Sequence, residues 1–250
     1  MSYADDYLTI KEVDRLINNI SQISRVSRTG IPQDTIQLFF KIIYHGMLRI
    51  QEATHLKKCD FNFTEKKITL REPRTGWETC SCHGDAKCPK CKGKGKLRVP
   101  QIAVFSSPKV WSEIQHKLRN LGSNEFLFPN IKFDKQVSRH AAFDWIKKLS
   151  ENLEIKKNVH PTILRDSRAH HLRMTKVLIE SQIHQMYRGQ KNQLSGAYVH
   201  ETPEKLIVLD EKANTFLKTY CEDCSYKNPD EGLFCCMCGN SLKENKSILD

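Results

Sequence analysis

The cysteines of this chain stand in close pairs, and this grouping limits the available folds more than any other feature. Ten cysteines occur in 250 residues. A Cys-x-x-Cys turn delivers two thiolates to one metal ion, and zinc takes four such ligands in a tetrahedron. The spacing therefore predicts two structural zinc sites. Their candidate ligands are Cys80, Cys82, His83, Cys88 and Cys91 in an internal segment, and Cys221, Cys224, Cys235 and Cys238 near the C-terminus.

The C-terminal set predicts a zinc ribbon, since Pro229 and Gly239 supply the turn residues that such knuckles need. In the internal set Cys82 and His83 are adjacent, and either one could be the fourth ligand. Disulfides are the alternative for both sets, but the sequence opens with no signal peptide, and thiols persist in a reducing cytoplasm. Cys59 and Cys236 are expected to bind no metal.

Net charge indicates the class of partner. The chain carries 40 lysines and arginines against 29 aspartates and glutamates, which gives a net charge of +11 and a pI near 9.1. A surplus of this size favours a polyanion over a small acidic metabolite. We therefore expect a nucleic acid as the partner and no membrane.

The charge is distributed unevenly along the chain. Residues 221–250 contain three basic and six acidic side chains, whereas residues 71–99 contain eight basic and three acidic ones. This distribution predicts that the internal cysteine-bearing segment faces phosphate and that the ribbon does not. Solvated charge without a partner is the alternative for both segments. The predicted DNA-binding side chains are Arg74, Lys90, Lys92, Lys94 and Arg98.

Apolar periodicity predicts a mostly helical domain with a small sheet. The second helix is apolar on nearly every side, which is typical of a buried helix. No apolar run approaches the roughly 18 residues of a membrane span, so we expect a cytoplasmic protein. Helices are predicted over 9–20, 34–45, 49–56, 108–121, 137–153, 164–187 and 203–220, and strands over 67–71 and 97–104.

Four short motifs resemble the boxes of the tyrosine recombinase (phage-type integrase) family and follow that family's order. They lie at residues 46–56, 95–100, 161–172 and 189–200. The resemblance covers about residues 7–215, and the C-terminal ribbon resembles that of the archaeal and archaeal-virus branch. It implies DNA recombination or integration, and an origin in a virus or mobile element.

The resemblance also implies a mechanism. Tyr198 would attack a DNA phosphodiester and form a 3′-phosphotyrosine, which stores the bond energy so that strands rejoin without ATP or a catalytic metal. Arg49 and Arg165 would hold the non-bridging oxygens, because a planar guanidinium stays charged and donates in pairs. The hairpin group that protonates the leaving oxygen has three candidates, of which Lys96 is preferred over Lys94 and Arg74.

Two positions depart from the family's pattern. The family usually has His three residues before the second arginine, where this chain has Thr162, and His or Trp where it has Gln190. Threonine and glutamine can hydrogen-bond a phosphate, but neither is a general base at neutral pH. His160 is the candidate for that role. Tyr187 is the rival nucleophile, and a poorer one if it lies in the middle of a helix.

Family members usually carry a helical core-binding domain before the catalytic domain and act as a tetrameric synapse on DNA. In this sequence the predicted start of the catalytic domain, at Tyr7, lies within a few residues of Met1. We therefore expect a homo-oligomer on DNA in which a partner supplies the clamp, or in which the basic internal segment compensates by adding phosphate contacts.

The sequence thus predicts an α+β fold: a mainly helical tyrosine-recombinase catalytic domain with a small antiparallel sheet, plus a C-terminal zinc ribbon. The predicted domains are 1–218, with the Cys-rich insert at 72–96, then the ribbon at 219–242 and a tail at 243–250. The predicted function is a site-specific DNA recombinase or integrase. The alternatives are a weak or inactive DNA-binding relative that regulates recombination or transcription, and a zinc-dependent protein-interaction adaptor.

Overall fold

The computed structural model describes residues 7–20, 30–71, 77–82, 86–130, 135–188, 200–221, 226–229, 232–242 and 248. The helices in these ranges are α1 (Ile10–Asn18), α2 (Gln33–His45), α3 (Ile50–Thr54), α4 (Pro108–Leu118), α5 (Arg139–Asn152), α6 (Pro161–Thr175), α7 (Glu180–Tyr187) and α8 (Pro203–Leu217). The strands are β1 (Phe61–Asn62), β2 (Lys67–Leu70), β3 (Trp77–Thr79), β4 (Lys96–Arg98), β5 (Gln101–Val104), β6 (Pro129–Asn130) and β7 (Lys135–Gln136). The predicted α+β class is confirmed.

Helix α2 lies at the centre of the fold because it is apolar on nearly every side. Phe39 and Phe40 are fully buried, and Phe39 makes edge-to-face contacts with Phe128 and Trp145 at centroid distances of 5.0 and 6.0 Å. Such pairs add to the stabilisation that burial provides. Helix α2 also packs against α6, so the helix that carries Arg165 rests directly on the core.

The main sheet has three antiparallel strands in the order β1–β2–β5. Its β2–β5 register ends at the pair Leu70–Gln101. The predicted single strand over 97–104 is wrong, because β4 ends at Arg98 and pairs in a different sheet from β5. Pro100 lies between the two strands and has no backbone N–H to donate to a ladder.

The segment between β2 and β5 forms the insert. Its strands β3 and β4 pair antiparallel in a two-stranded sheet of their own. Two left-handed residues follow one another in the turn before β4, Lys92 (φ 50°) and Gly93 (φ 77°). A Cβ at Gly93 would lie 3.1 Å from Ala86 Cα, so both the backbone angle and the space require glycine there.

The predicted single helix over 164–187 is also wrong, whereas the other predicted helices are present. The structure has α6 and α7 in that range, and the break falls at Lys176, which is left-handed with φ 56°. Thr175 Oγ1 accepts the N–H of Val177 at 3.2 Å, and a local bond of this kind competes with helix continuation. Ile183 in α7 is buried as well, so the apolar pattern of the sequence continues past the break and does not reveal it.

Helix α8 is fixed to α6 by a buried polar cluster. Arg168 Nη2 donates to Asp210 Oδ1 (2.5 Å) and Asn214 Oδ1 (2.7 Å). Asp210 Oδ2 accepts from Ser106 N and Oγ at 2.9 and 2.8 Å, and Asn214 Nδ2 donates to Ser106 Oγ at 3.0 Å. A buried carboxylate is tolerated where its oxygens are paired in this way. The cluster therefore joins α6, α8 and the turn before α4.

The C-terminal residues form a small unit with two isolated β-bridges, Tyr220–Lys227 and Phe234–Ser241. Ile248 lies back in the principal core, where it is 3% exposed. Across the ranges that the structure describes, no helix has both the length and the apolar character to span a bilayer.

Candidate active site

Arg49 is the N-cap residue of α3 and is held on two sides. Glu52, in the first turn of α3, accepts hydrogen bonds from Arg49 N (2.9 Å) and Nη1 (2.8 Å). Arg49 Nη2 donates to the carbonyl oxygen of Arg188 at 3.1 Å. The Arg49 side chain remains 20% exposed. It is therefore oriented and still accessible to a ligand.

Arg165 lies in the second turn of α6 and is buried. Its guanidinium stacks on the Tyr187 ring, with 3.6 Å between Cζ and the ring centroid, and Nη2 donates to the Tyr187 carbonyl oxygen. Arg165 Nε has no hydrogen-bond partner among the described residues. Burial lowers the pKa of Arg165 to about 10, and the charges of Arg188 and Arg49 contribute. At neutral pH the group is cationic, and a neighbouring anion would stabilise it.

Arg188 was missed in the sequence analysis, although it directly precedes the motif that holds Gly189. Its guanidinium is buried and donates to four oxygens: Met47 O (2.6 Å), Met186 O (2.8 Å), Gly46 O (3.2 Å) and Glu52 Oε2 (3.2 Å). Only one of these is a side-chain carboxylate. An arginine at the end of a helix was the available signal, but three of its four partners lie more than a hundred residues away in sequence.

Tyr187, the rival nucleophile, ends α7 and does not lie in the middle of a helix. Its hydroxyl donates to Asp166 Oδ1 at 2.5 Å. Burial raises the pKa of the Tyr187 phenol, and the Asp166 carboxylate adds to that effect against the charge of Arg165. A phenol held protonated is a poor nucleophile. Tyr187 is therefore suited to support Arg165.

The N-terminus of α6 places two further candidates near Arg165. His160 is the N-cap residue, and its Nδ1 accepts the N–H of Ile163 at 3.2 Å. A neutral imidazole bonded in this way carries its proton on Nε2, which suits it to donate a hydrogen bond. Thr162 is exposed in the first turn. It precedes Arg165 by three residues and so shares its face of the helix.

The hairpin candidates lie in the insert. Lys96 begins β4 and Lys94 lies in the turn before it, and both side chains are exposed. The positions of Arg74, Gln190 and Tyr198 lie outside the described residues, so their predicted roles remain predictions. The Arg98 side chain lies outside the description as well.

The insert brings four of its five candidate ligands together. The sulfur atoms of Cys80, Cys82, Cys88 and Cys91 lie within 4.8 Å of one another. The Cys80–Cys88 distance is 3.8 Å and the Cys82–Cys91 distance is 3.2 Å. Tetrahedral zinc with bonds of about 2.3 Å requires sulfur–sulfur distances of about 3.8 Å, so this donor set fits the metal. His83 lies outside the described residues.

The electrostatics of the insert favour thiolates. The backbone N–H of Cys91 and the Cys82 side chain lower the pKa of the Cys88 thiol to about 6, and the backbone N–H of Lys90 contributes. Three of the predicted DNA-binding lysines, Lys90, Lys92 and Lys94, are exposed and form no ion pair within the described ranges. The insert therefore combines a metal-ligand set with accessible positive charge.

The ribbon brings three of its four predicted ligands together, Cys221, Cys235 and Cys238. Cys224 lies outside the described residues. Asn228 Nδ2 contacts Cys235 Sγ at 3.6 Å, and Met237 N donates to the same sulfur at 3.4 Å. Such N–H···S contacts orient a ligand and stabilise its thiolate. The nine described cysteines are all free, with no disulfide among them in the structure.

Comparison with known proteins identifies the family. A model of the phage integrase family matches residues 6–193. The chain therefore belongs to the phage integrase family, as its motifs predicted. It is 26% identical over 168 residues to a tyrosine recombinase of Thermosipho africanus (strain TCF52B), a match that covers 67% of this chain and 47% of the relative.

Solved structures confirm the catalytic-domain fold. The chain resembles the XerA recombinase, with a TM-score of 0.51 and 17% identity, over 72% of this chain and 55% of that one. It also resembles the XerH site-specific recombinase bound to its difH substrate in a pre-cleavage complex, with a TM-score of 0.55 and 17% identity, over 80% and 52% of the two chains. The chain thus spans about half the length of the relatives it matches.

Proposed function

We propose that this chain is the catalytic part of a site-specific DNA recombinase or integrase that cuts and rejoins strands through a 3′-phosphotyrosine. One observation carries the proposal. Arg49 and Arg165, which are distant in sequence, donate to the carbonyl oxygens of the consecutive residues Arg188 and Tyr187. Two guanidiniums at one site provide positive charge where negative charge develops on phosphorus.

The chemical step assigns one role to each group. The phenolic oxygen of Tyr198 attacks phosphorus, the bond from phosphorus to the 5′ oxygen breaks, and the phenolic proton passes to water. Lys96 donates a proton to the leaving 5′ oxygen, so that the products are a phosphotyrosyl 3′ end and a free 5′ hydroxyl. The reverse reaction restores the DNA strand, since the phosphodiester energy is retained in the covalent link.

The N-terminus of α6 supports phosphate binding in the same proposal. Thr162 and His160 Nε2 supply hydrogen-bond donors beside the N–H groups of the first helical turn, which have no acceptor within the helix. Gln190 has the same role. In this assignment His160 acts as a donor and not as a general base, because its Nδ1 lone pair is used by the helix cap.

The remaining roles are structural and DNA-binding. Zinc holds the two cysteine clusters, and the insert directs Arg74, Lys90, Lys92, Lys94 and Arg98 to phosphates of double-stranded DNA. Recombination joins two duplexes, so the working form is a homo-oligomer on DNA. The excess positive charge of the insert and its exposed lysines support this arrangement.

Trapping of a covalent adduct tests the function. The purified chain is incubated with a pool of nicked duplexes that carry a randomised segment, and protease-sensitive DNA–protein species are isolated on a denaturing gel and sequenced. Wild type is expected to form an adduct at recurring sequences, because a nick lets the short 5′ product diffuse away and blocks religation. Tyr198→Phe should form none, whereas Tyr187→Phe should retain the adduct.

Two results contradict the proposal. An adduct that persists in Tyr198→Phe and disappears in Tyr187→Phe would assign the nucleophile to Tyr187. No adduct from any variant, on DNA that the chain demonstrably binds, would favour the DNA-binding regulator, for which Thr162 and Gln190 are the supporting residues.

A further inference from the structure

The two arginines of the candidate site are held by the C-terminal end of α7. Helix ends carry carbonyl groups without helical partners and the negative end of the helix dipole, so they attract cations. Tyr187 O accepts from Arg165, and Arg188 O accepts from Arg49. The relative position of the two guanidiniums is therefore set by the position of this helix end.

Arg188 fixes that helix end to the segment that carries Arg49. Its guanidinium donates to Gly46 O at 3.2 Å and Met47 O at 2.6 Å, three and two residues before Arg49, and to Met186 O at 2.8 Å within α7. It also donates to Glu52 Oε2 at 3.2 Å, and the same oxygen accepts from Arg49 N. One buried side chain thus contacts both sides of the candidate site.

We propose that Arg188 is a positioning residue, which sets the spacing of Arg49 and Arg165 by clamping the end of α7 to the turn before α3. The inference rests on the proposed function for its chemistry, but the geometric relation stands on the contacts alone. Arg188 does not itself bind the phosphate, because both of its terminal nitrogens donate to protein oxygens and the residue is only 6% exposed.

The residue type matches this role. A guanidinium offers five donors in a rigid plane, which lets it bond several carbonyl groups and a carboxylate at once. Lysine keeps the charge but presents its donors from one nitrogen, and methionine keeps the volume without any donor. In a methionine variant Glu52 would lose one of its two arginine partners. Its carboxylate would then pair more strongly with Arg49.

The test uses Arg188→Met and Arg188→Lys in the full chain, with Arg173→Met as the matched control. Arg173 also pairs with a glutamate, Glu180, but both side chains are about half exposed. Three quantities are measured: the affinity for inorganic phosphate, from the shifts of the arginine Nε–H resonances; the rate of adduct formation on the nicked duplexes; and the affinity for the same DNA. Thermal unfolding identifies temperatures at which each variant is folded.

We expect Arg188→Met to weaken phosphate binding roughly tenfold, which is the effect of misaligning one charge-assisted hydrogen bond between an arginine and the phosphate. Adduct formation should slow by roughly 100-fold, the effect of a misplacement of about 1 Å, with little change in DNA affinity. Arg188→Lys should fall between that variant and wild type. Arg173→Met should match wild type in every measurement. If Arg188→Met does not fold, Arg188→Lys carries the test.

The proposal is overturned if a folded Arg188 variant binds phosphate and forms adducts as wild type does. It is also overturned if the loss of activity follows only the loss of stability and disappears at a temperature where the variant is folded. Failure of the proposed function gives a different result, in which wild type forms no adduct. The phosphate measurement still decides the role of Arg188 in that case.

Discussion

Arg168 and Asp210 form an ion pair with 2.5 Å between Nη2 and Oδ1, and neither side chain is exposed to solvent. Arg168 lies one turn after Arg165 on α6, while Asp210 lies on α8, which follows the segment of Tyr198 in sequence. The pair therefore holds the helix after the predicted nucleophile against the helix of the second arginine within one chain.

Removal of one partner should destabilise the fold strongly. Asp210→Ala leaves the Arg168 guanidinium buried without its carboxylate, so the free energy of unfolding should fall by about 3–5 kcal/mol. Urea unfolding measures the change. Glu180→Ala, which breaks the exposed pair with Arg173, should change it by less than about 1 kcal/mol. Equal losses in the two variants would contradict a special role for the buried pair.

Acid should destabilise the fold through His171. Its Nδ1 lies 2.8 Å from the Tyr44 hydroxyl and its Nε2 lies 2.9 Å from Leu8 O. Burial lowers the pKa of His171 to about 3, and the charge of Arg168 adds to the effect. Below pH 6.5 the unfolded chain binds this proton and the folded chain does not, so stability is lost as the pH falls from 6.5 towards 3, by up to about 1.4 kcal/mol per pH unit.

His171→Gln tests this dependence, because the amide does not titrate. The melting temperature of the variant should fall less steeply than that of wild type between pH 6.5 and 4. A residual slope is expected from His45, since burial also lowers the pKa of that side chain well below its usual value. Parallel curves for the two proteins would show that His171 is not the acid-sensitive group.

Motif spacing identified candidate residues that are far apart in sequence, whereas apolar periodicity merged α6 with α7 and β4 with β5. Arg49 and the cysteine pairs were found because their chemistry is local in sequence. The break at Lys176 was missed, since a single left-handed residue does not interrupt apolar periodicity. Arg188 was missed because its contacts are not local in sequence. Its partners Gly46 and Met47 are more than a hundred residues away, and only tertiary contact reveals them.

Loss of the insert cluster should remove bound metal and weaken DNA binding while the catalytic fold persists. Cys88→Ser with Cys91→Ser removes two of the four clustered sulfurs, and metal analysis should find one zinc site fewer per chain. DNA affinity should fall and its dependence on salt should flatten. Cys59→Ser, at an exposed free cysteine, is the control and should change neither. Unchanged binding isotherms in the double variant would refute the role of the insert.

Neutralising the exposed lysines of the insert should reduce the salt dependence of DNA binding without removing zinc. Replacing Lys90, Lys92 and Lys94 by alanine leaves the cysteines intact, so the zinc content should stay constant. The slope of log affinity against log salt should fall by about 0.9 for each phosphate that the variant no longer neutralises. Lys227→Ala in the ribbon should leave the slope unchanged, because the acidic ribbon is predicted not to contact DNA. An equal fall for Lys227→Ala would contradict that assignment.

Restoring the family's usual residue should increase activity. Thr162 is exposed in the first turn of α6 and shares the face of Arg165. Thr162→His places an imidazole there, and a general acid or base contributes roughly 10²-fold or more when well placed. The rate of adduct formation should therefore rise, and it should acquire a pH dependence near the imidazole pKa. A rate at or below that of Thr162→Ala would place this turn away from the reacting phosphate.

The pairing of Leu70 with Gln101 has an evolutionary consequence. The main-sheet hairpin closes at that pair, and the described part of the insert beyond it holds the cluster of four cysteine sulfurs. Selection can therefore lengthen, shorten or recharge the insert without shifting the register of β2 and β5.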